Sequence, residues 1–406
     1  MASVHPFRAL RPVPGKAADV SSAPYDVVST DEARQLAAGN PLSFLRVTRS
    51  EIDLPPGADP YSPEVYARAR QNLQALREDA PLVTDDDPAL YLYRLRMGTH
   101  EQIGLAGCFS VDEYDSDAIK KHERTRRDKE DDRTRHIIET RAQTGVVFLT
   151  YRASADVDRL AQQVVTGAPL FDFTADDGVQ HTIWMTSRHA TRDLVDVFAR
   201  IPALYIADGH HRAASAARAR AEMRTIQGGP WEADRFIAVA FPHNQVQILP
   251  YNRVVKDLAG RAPGDFISAL RERFPVADGP VREGRKGQVG LYLAGRWYSI
   301  DLSGATPEDD SRASSLDVAL LQRHVLEQLL GIGDIRSDRR IDFIGGARGT
   351  RALEQAVDSG DAAVAFAMFP VTVDDLMAIS DSGGIMPPKS TWFEPKLRDG
   401  LLIHTL

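Results

Sequence analysis

Cysteine is almost missing: Cys108 is the only one in 406 residues. A single thiol excludes an internal disulfide framework and excludes thiolate-rich zinc or iron–sulfur sites. Long apolar runs are missing too, and none approaches the roughly 18–20 residues a membrane helix needs. The opening stretch MASVHPFRALRPVPG has no apolar signal core, so a cytoplasmic protein without membrane attachment is expected. Nor is there an excess of positive charge. Lys and Arg number 49 against 57 Asp and Glu, a formal charge of −8, which weighs against nucleic acid as a partner. The lysine-bearing phosphate loop and the protein-kinase signatures are absent. The glycine-rich run at 345–349 lacks both the lysine and the dinucleotide spacing.

What remains is ordinary globular material, 43% hydrophobic and 26% charged. The length suggests two or three domains at roughly 100–200 residues each. Residues 1–63 are rich in proline and turns, with a short β-type run at 43–48. Val65, Ala69, Leu73 and Leu76 give 61–80 a helical period. Strands at 89–96 and 103–111 flank a turn at 97–100. Helices at 155–165 and 191–201 alternate with strands at 145–151, 170–173, 180–186 and 203–207, and an Ala/Arg helix runs to about 225. Residues 236–241 and 245–249 read as a hairpin. The last third carries a helix at 263–274, a hairpin at 289–302, a helix at 315–330, strands near 341–344 and 362–370, and a helix at 372–380. Such a mixture indicates α+β domains, not one doubly wound sheet.

Three segments carry the chemistry. The first is Asp208, Gly209, His210, His211 and Arg212, in a strand–glycine–helix context. Glycine permits the tight turn, and the first helical amides, unsatisfied within the helix, suit a phosphate. Arg212 could fork onto phosphate oxygens and the histidines could donate to them. Asp208, at the strand end, could hold a metal ion or receive a proton. Adjacent helical residues project about 100° apart, which disfavours His210 and His211 as a metal pair. The bland reading is an N-capping Asp208 with solvated imidazoles.

The second segment is the charge run at 116–136, eight basic and six acidic residues. It contains Lys120, Lys121, His122 and Glu123, and on a helix His122, Arg126, Lys129 or Glu130, and Arg133 would share a face. A self-paired solvated helix explains the run equally well as a carboxylate base kept ionised among cations. The third is 386–396, where two prolines stiffen the approach to Lys389, Ser390 and Thr391, which could hold a carboxylate or a phosphate. A tail strand with aromatic packing is the plain alternative. Tyr251, Asn252 and Arg253 at a strand exit are weaker candidates, and Tyr25 and Asp26 are explained by an ordinary turn.

Lys-Lys-His-Glu at 120–123, Asp-Gly-His-His-Arg at 208–212 and Pro-Lys-Ser-Thr at 388–391 resemble, in that order, the active-site segments of free-serine kinases of the ParB/sulfiredoxin fold. The chain also resembles, along nearly its whole length, the bacterial family known as domain of unknown function 1015. That likeness rests on Ala-Pro-Tyr-Asp-Val (23–27), Asn-Pro-Leu-Ser-Phe-Leu-Arg-Val (40–47), Lys-Glu-Asp-Asp-Arg-Thr-Arg (129–135), Ala-Asp-Gly-His-His-Arg (207–212) and Met-Pro-Pro-Lys-Ser-Thr (386–391).

The resemblance implies an α+β chain with a ParB/sulfiredoxin-like phosphate-binding core at 105–258, an N-terminal α/β domain at 1–104 and a C-terminal α/β domain at 259–406. It implies phosphotransfer from ADP, ATP or pyrophosphate to a small hydroxylated metabolite, with free L-serine giving O-phosphoserine as the favoured case. Glu123 would take the hydroxyl proton, with His122 and Asp208 beside it. Gly209, His210, His211, Arg212 and Arg126 would bind the donor phosphates, and Tyr251, Asn252, Arg253, Lys389, Ser390 and Thr391 would lie near the acceptor. Mg²⁺ is the expected helper. The competing expectation is a nucleotide-binding ParB-like regulator of DNA or protein partners, without metabolic kinase activity. Sulfiredoxin chemistry is disfavoured, because His210 or His211 stands where its cysteine would be.

Overall fold

The computed structural model describes residues 2–79, 81–227, 232–281 and 284–406. They form two compact units, one of Met1–Val246 with Pro395–Leu406 and the other of Gln247–Glu394. Their mixed α+β content agrees with the expected class.

The first unit is organised on a nine-stranded mixed sheet. Its strands are Val4–His5 (β1), Tyr91–Met97 (β2), His100–Ser110 (β3), Ile119–Lys120 (β4), Val147–Tyr151 (β5), Phe171–Thr174 (β6), Gln180–Met185 (β7), Leu204–Asp208 (β8) and Arg235–Pro242 (β9). The spatial order is β4-β8-β5-β9-β3-β2-β7-β6, with β1 also pairing β3. Most pairings are antiparallel, but β4 runs parallel to β8 and β5 parallel to β9. The turn between β2 and β3 is made by Gly98 at φ +59, a left-handed conformation that suits glycine.

The longer helices of this unit are Pro63–Glu78 (α1), Arg127–Thr140 (α2), Ala155–Val165 (α3), Arg188–Phe198 (α4) and His210–Gln227 (α5). Val157 and Leu160 of α3 and Leu194 and Phe198 of α4 enter the core with Leu149, Ile206 and Phe236 from the strands. Burial of each such side chain contributes about 1.5–3 kcal/mol. Leu73 and Leu76 of α1 pack instead with Phe44 and Val47 in a separate cluster. The other unit has a six-stranded antiparallel sheet, from Tyr251–Val255 (β10), Val276–Asp278 (β11), Gln288–Leu293 (β12), Arg296–Asp301 (β13), Ile341–Gly345 (β14) and Val364–Ala367 (β15), in the order β11-β13-β12-β15-β10-β14.

Several expectations are corrected. The β-type run at 43–48 is a helical turn, Leu45–Thr48, which buries Leu45 and Val47; a short apolar run has no period long enough to separate strand from helix. The hairpin expected of 236–241 and 245–249 does not form. Both edges of β9 are taken by β3 and β5, and Gln247–Leu249 pairs with Trp392–Glu394. The helix expected at 315–330 begins at Asp317–Leu321 and continues as a π-helix, Gln322–Glu327. Helix α1 ends at Glu78, and Ala80, the expected limit, lies outside the described residues.

The expected domain limits also differ from the compact units. The 104/105 boundary falls inside β3, which is hydrogen-bonded to β1, β2 and β9 and cannot be divided between domains. The 258/259 boundary falls twelve residues beyond Val246, and the chain end from Pro395 rejoins the first unit.

Candidate active site

Strand β8 is apolar and buried until Asp208. Its register against β5 slips between Ile206 and Asp208, a bulge that re-aims the strand's last residue. Gly209 then takes φ +93 and α5 starts at His210. A Cβ on Gly209 would meet Arg212 and the Val147 backbone at 3.4 Å, so the left-handed backbone, more than space, calls for glycine. Asp208 accepts the Gly209 N–H through Oδ1 at 3.0 Å and pairs with Lys396 Nζ through Oδ2 at 3.2 Å. Burial alone would raise its carboxyl, but the Lys396 ammonium and Arg212 outweigh burial and hold it far below the usual range.

The charge run reaches this loop through the sheet, not along a helix. Parallel pairing of Ile119 with Leu204 and Lys120 with Tyr205 places His122 and Glu123 in the loop that follows β4, beside the end of β8. Helix α2 begins only at Arg127, so the single face expected of His122, Arg126 and Arg133 does not exist. In its place, contacts link the two segments. The His122 N–H donates to His210 Nε2 at 3.4 Å, and their rings meet edge to face at 4.4 Å between centroids. Glu123 Oε2 lies 3.8 Å from His210 Nδ1. The Arg126 N–H donates to His211 Nε2 at 3.0 Å, which ties the start of α2 to the start of α5. The two imidazoles of α5 thus serve different neighbours, as their divergence on a helix predicts.

Burial lowers His122 to about 4, with the Asp208 charge pulling the other way. His210 is also held well below its ordinary value, by burial first and then by His122. Both rings are therefore neutral near pH 7. The site combines an ionised Asp208, two neutral buried imidazoles and the half-exposed carboxylate of Glu123.

Arg212 makes contacts that the sequence did not announce. It is 7% exposed; Nη2 donates to both oxygens of Asp26 at 2.7 and 2.8 Å and Nη1 to the Val146 carbonyl at 2.7 Å. Through these bonds the guanidinium anchors the loop, with Nε left without a hydrogen-bond partner. Arg126 is exposed, and its side chain turns to Asp128 at 2.8 and 3.1 Å. Much of the remaining charge run is also paired, as the self-paired reading anticipates. Lys120 and Lys121 lie 3.7 Å from Asp117, Arg218 bonds Glu130 and Asp131, and Arg133 bonds Asp132.

The expected acceptor residues lie in the other unit. There Arg253, 1% exposed, donates to the Tyr251 carbonyl and, at 2.9 Å, to the Lys389 carbonyl. Lys389 has φ +58 and places Nζ 5.5 Å from the Tyr251 ring centre. Asn252 Oδ1 accepts the Met368 N–H, and Ser390 Oγ donates to the Pro387 carbonyl. Tyr251, Arg253 and Lys389 are thus brought together, with Arg253 and Asn252 in structural roles. Thr391 directly precedes the strand Trp392–Glu394.

Asp26, Lys396 and Asp399 are the residues that motif reading missed. Asp26 lies in the Ala-Pro-Tyr-Asp-Val segment and Lys396 at the end of the 386–396 stretch, but nothing local to either segment marks it as a partner of Arg212 or Asp208.

Among the described residues, the His, Cys, Asp and Glu side chains grouped closely enough to share an ion are His122, Glu123 and His210. Two imidazoles and one carboxylate do not match the oxygen-rich set Mg²⁺ prefers.

Fold and site together define a mixed α+β protein with a strand–glycine–helix loop and a buried histidine pair beside a carboxylate. The chain belongs to the family described as Protein of unknown function (DUF1015), whose sequence profile matches residues 4–319. No match was found among curated protein sequences. Similar solved structures include C-terminally truncated SbnI from Staphylococcus aureus, at 12% identity and TM-score 0.39 over 74% of this chain and 87% of that one. A free serine kinase in complex with AMP is similar at 13% identity and TM-score 0.34, over 73% and 91%. A conserved hypothetical protein from Pyrococcus furiosus is similar at 13% identity and TM-score 0.35, over 73% and 94%. No helix among the described residues is long and apolar enough to cross a membrane.

Proposed function

We propose that the protein is a phosphotransferase that phosphorylates a small hydroxylated metabolite, with free L-serine as the first candidate and ADP, ATP or pyrophosphate as donor. The observation that carries this reading is the approach of Glu123 to His210 at 3.8 Å, at the mouth of α5. Eighty-five residues separate Glu123 from Asp208 in sequence, yet the two segments that resemble kinase active-site segments meet in space. A ParB/sulfiredoxin-like core is part of the same reading.

In this reading the donor phosphates lie against Gly209 and the first amides of α5, where the helix dipole favours anions. His210 and His211, both neutral, orient them without adding a buried charge. Glu123 accepts the acceptor's hydroxyl proton, the acceptor oxygen attacks phosphorus, and the bond to the donor's bridging oxygen breaks. Asp208, held ionised by Lys396, fixes the loop through the Gly209 N–H. Mg²⁺ would arrive on the donor's phosphates, with no side chain assigned to it.

The test is direct. Purified full-length protein with Mg²⁺ and L-serine is supplied in turn with ADP, ATP and pyrophosphate, and phosphoserine is quantified by mass spectrometry. Formation from one donor supports the reading. No phosphoserine from any of the three removes serine as the acceptor, and nucleotide binding accompanied by salt-sensitive DNA binding would favour the regulator instead.

A further inference from the structure

The unusual feature of the loop is a buried histidine whose ring nitrogens make no hydrogen bond of ordinary geometry. That residue, His122, is 2% exposed. A loose backbone hydrogen bond with Ile206 favours a ring proton, but it could occupy only one of the two nitrogens. Buried polar groups are almost always satisfied, and leaving one unmade costs about 1–3 kcal/mol. A native orphan of this kind calls for a missing partner. The ring stands edge to face with His210, and Glu123 lies on the open side of the pair.

From this we infer that His122, His210 and Glu123 form a binding site for an imidazole-preferring divalent transition-metal ion, with Zn²⁺ as the type case. Each of the three offers one ligand atom, and these atoms all lie within 4.8 Å of one another. A tetrahedral ion with bonds of about 2.0–2.2 Å brings its ligand atoms to roughly 3.4 Å apart. The group must therefore draw in, and Glu123, 43% exposed, lies on the loop between β4 and α2. Two imidazoles and one carboxylate leave a coordination position for water or a phosphate oxygen, as in open zinc sites. Both rings are neutral near pH 7, the form a metal requires.

This inference does not rest on the phosphotransferase reading, and the two make opposite demands on Glu123. A carboxylate that ligates a cation is a poor base. If both hold, filling the site with Zn²⁺ inhibits phosphotransfer.

The experiment uses full-length protein stripped with a chelator. Zn²⁺ is titrated by calorimetry, and Co²⁺ binding is followed by its visible ligand-field bands. The expected result is one equivalent bound, weakened by about tenfold or more in both Glu123→Gln and His210→Gln. His189→Gln, at an exposed surface histidine 79% accessible, should bind as the wild type does. Glu123→Gln is the decisive variant because its site is open to solvent and the fold, checked by circular dichroism, should be retained. Absence of a stoichiometric site in the wild type overturns the inference, and so does undiminished binding in Glu123→Gln. Absence of phosphotransfer in the stripped protein supplied with Mg²⁺ but no Zn²⁺, when a separate titration shows Zn²⁺ binding through these residues, would instead overturn the functional reading alone.

Discussion

Arg212 and Asp26 lie 186 positions apart in sequence, and the guanidinium Nη2 donates to both carboxylate oxygens at 2.7 and 2.8 Å. The pair joins the first turn of α5 to the proline-rich N-terminal segment. Burial works against the Arg212 charge, but the carboxylates of Asp26, Asp208 and Asp399 more than offset it and raise its pKa. A buried cation is tolerated only when so compensated.

Removing one partner should therefore be worse than removing both. Asp26→Ala is expected to destabilise the protein by about 2–4 kcal/mol, somewhat less than a fully buried pair would cost because Asp26 is 37% exposed. Asp26→Ala with Arg212→Met should recover part of that loss. Urea denaturation of the three proteins measures it; an Asp26→Ala effect below about 0.5 kcal/mol would show that the pair has no structural weight.

Asp399, 1% exposed, gives a pH signature. Burial, opposed by Arg212 and reinforced by Asp26, raises its carboxyl to about 7, and Oδ2 has no hydrogen-bond partner. The unfolded chain releases this proton near pH 4. Below that, both states are protonated and nothing is lost. Between pH 4 and about 7 the unfolded state ionises first, so stability falls as pH rises, by on the order of 2–4 kcal/mol in total. Asp399→Asn should flatten this slope and be more stable than wild type at pH 8. Equal slopes in thermal melts of the two proteins across that window would contradict the assignment.

Much of the candidate site was legible because its signals are local. Glycine after an apolar strand and before an Ala/Arg helix announces the turn at Gly209, and resemblance singled out Glu123 from the charge run. What was not legible depends on contacts distant in sequence. Nothing near Arg212 reveals that Asp26 occupies it, and nothing near Asp208 reveals Lys396, 188 positions away. The two-residue strand Ile119–Lys120 is too short to carry a period, yet its pairing with β8 moves His122 and Glu123 off the expected helix and into the site. The same shortness hid the helical turn Leu45–Thr48. The β2–β3 hairpin and helices α1 and α3 were legible because their apolar period is sustained over several turns or pairs.

Gly209→Ala separates backbone strain from packing. The new Cβ would make ordinary contacts at 3.4 Å, but φ +93 is unfavourable for any side chain. The expected cost is about 1–3 kcal/mol, together with a displaced start of α5 and weaker binding of phosphate-bearing ligands. Calorimetric titration with ADP, alongside thermal denaturation, reads both effects. An alanine variant of wild-type stability and affinity would mean the loop does not depend on its left-handed residue.

Glu123→Gln tests the carboxylate's chemistry most cleanly. The amide keeps the size and the hydrogen-bonding reach of the side chain, which is 43% exposed. It cannot accept the acceptor's proton. Under the phosphotransferase reading, turnover should therefore fall by roughly 10²–10⁴-fold, the usual worth of a positioned base, while the affinity for ADP or ATP stays within about threefold of wild type. A fall in nucleotide affinity with turnover per bound donor intact would mark Glu123 as a binding group. Full turnover in the glutamine variant would remove it as the base and leave the loop amides and histidines as positioning groups only. Because His122 and His210 are both neutral near pH 7, the rate profile should lack a limb near 6–7 from these histidines. A rate profile with a limb near 6.5 that disappears in His210→Gln would transfer the proton-accepting role from the carboxylate to the imidazole.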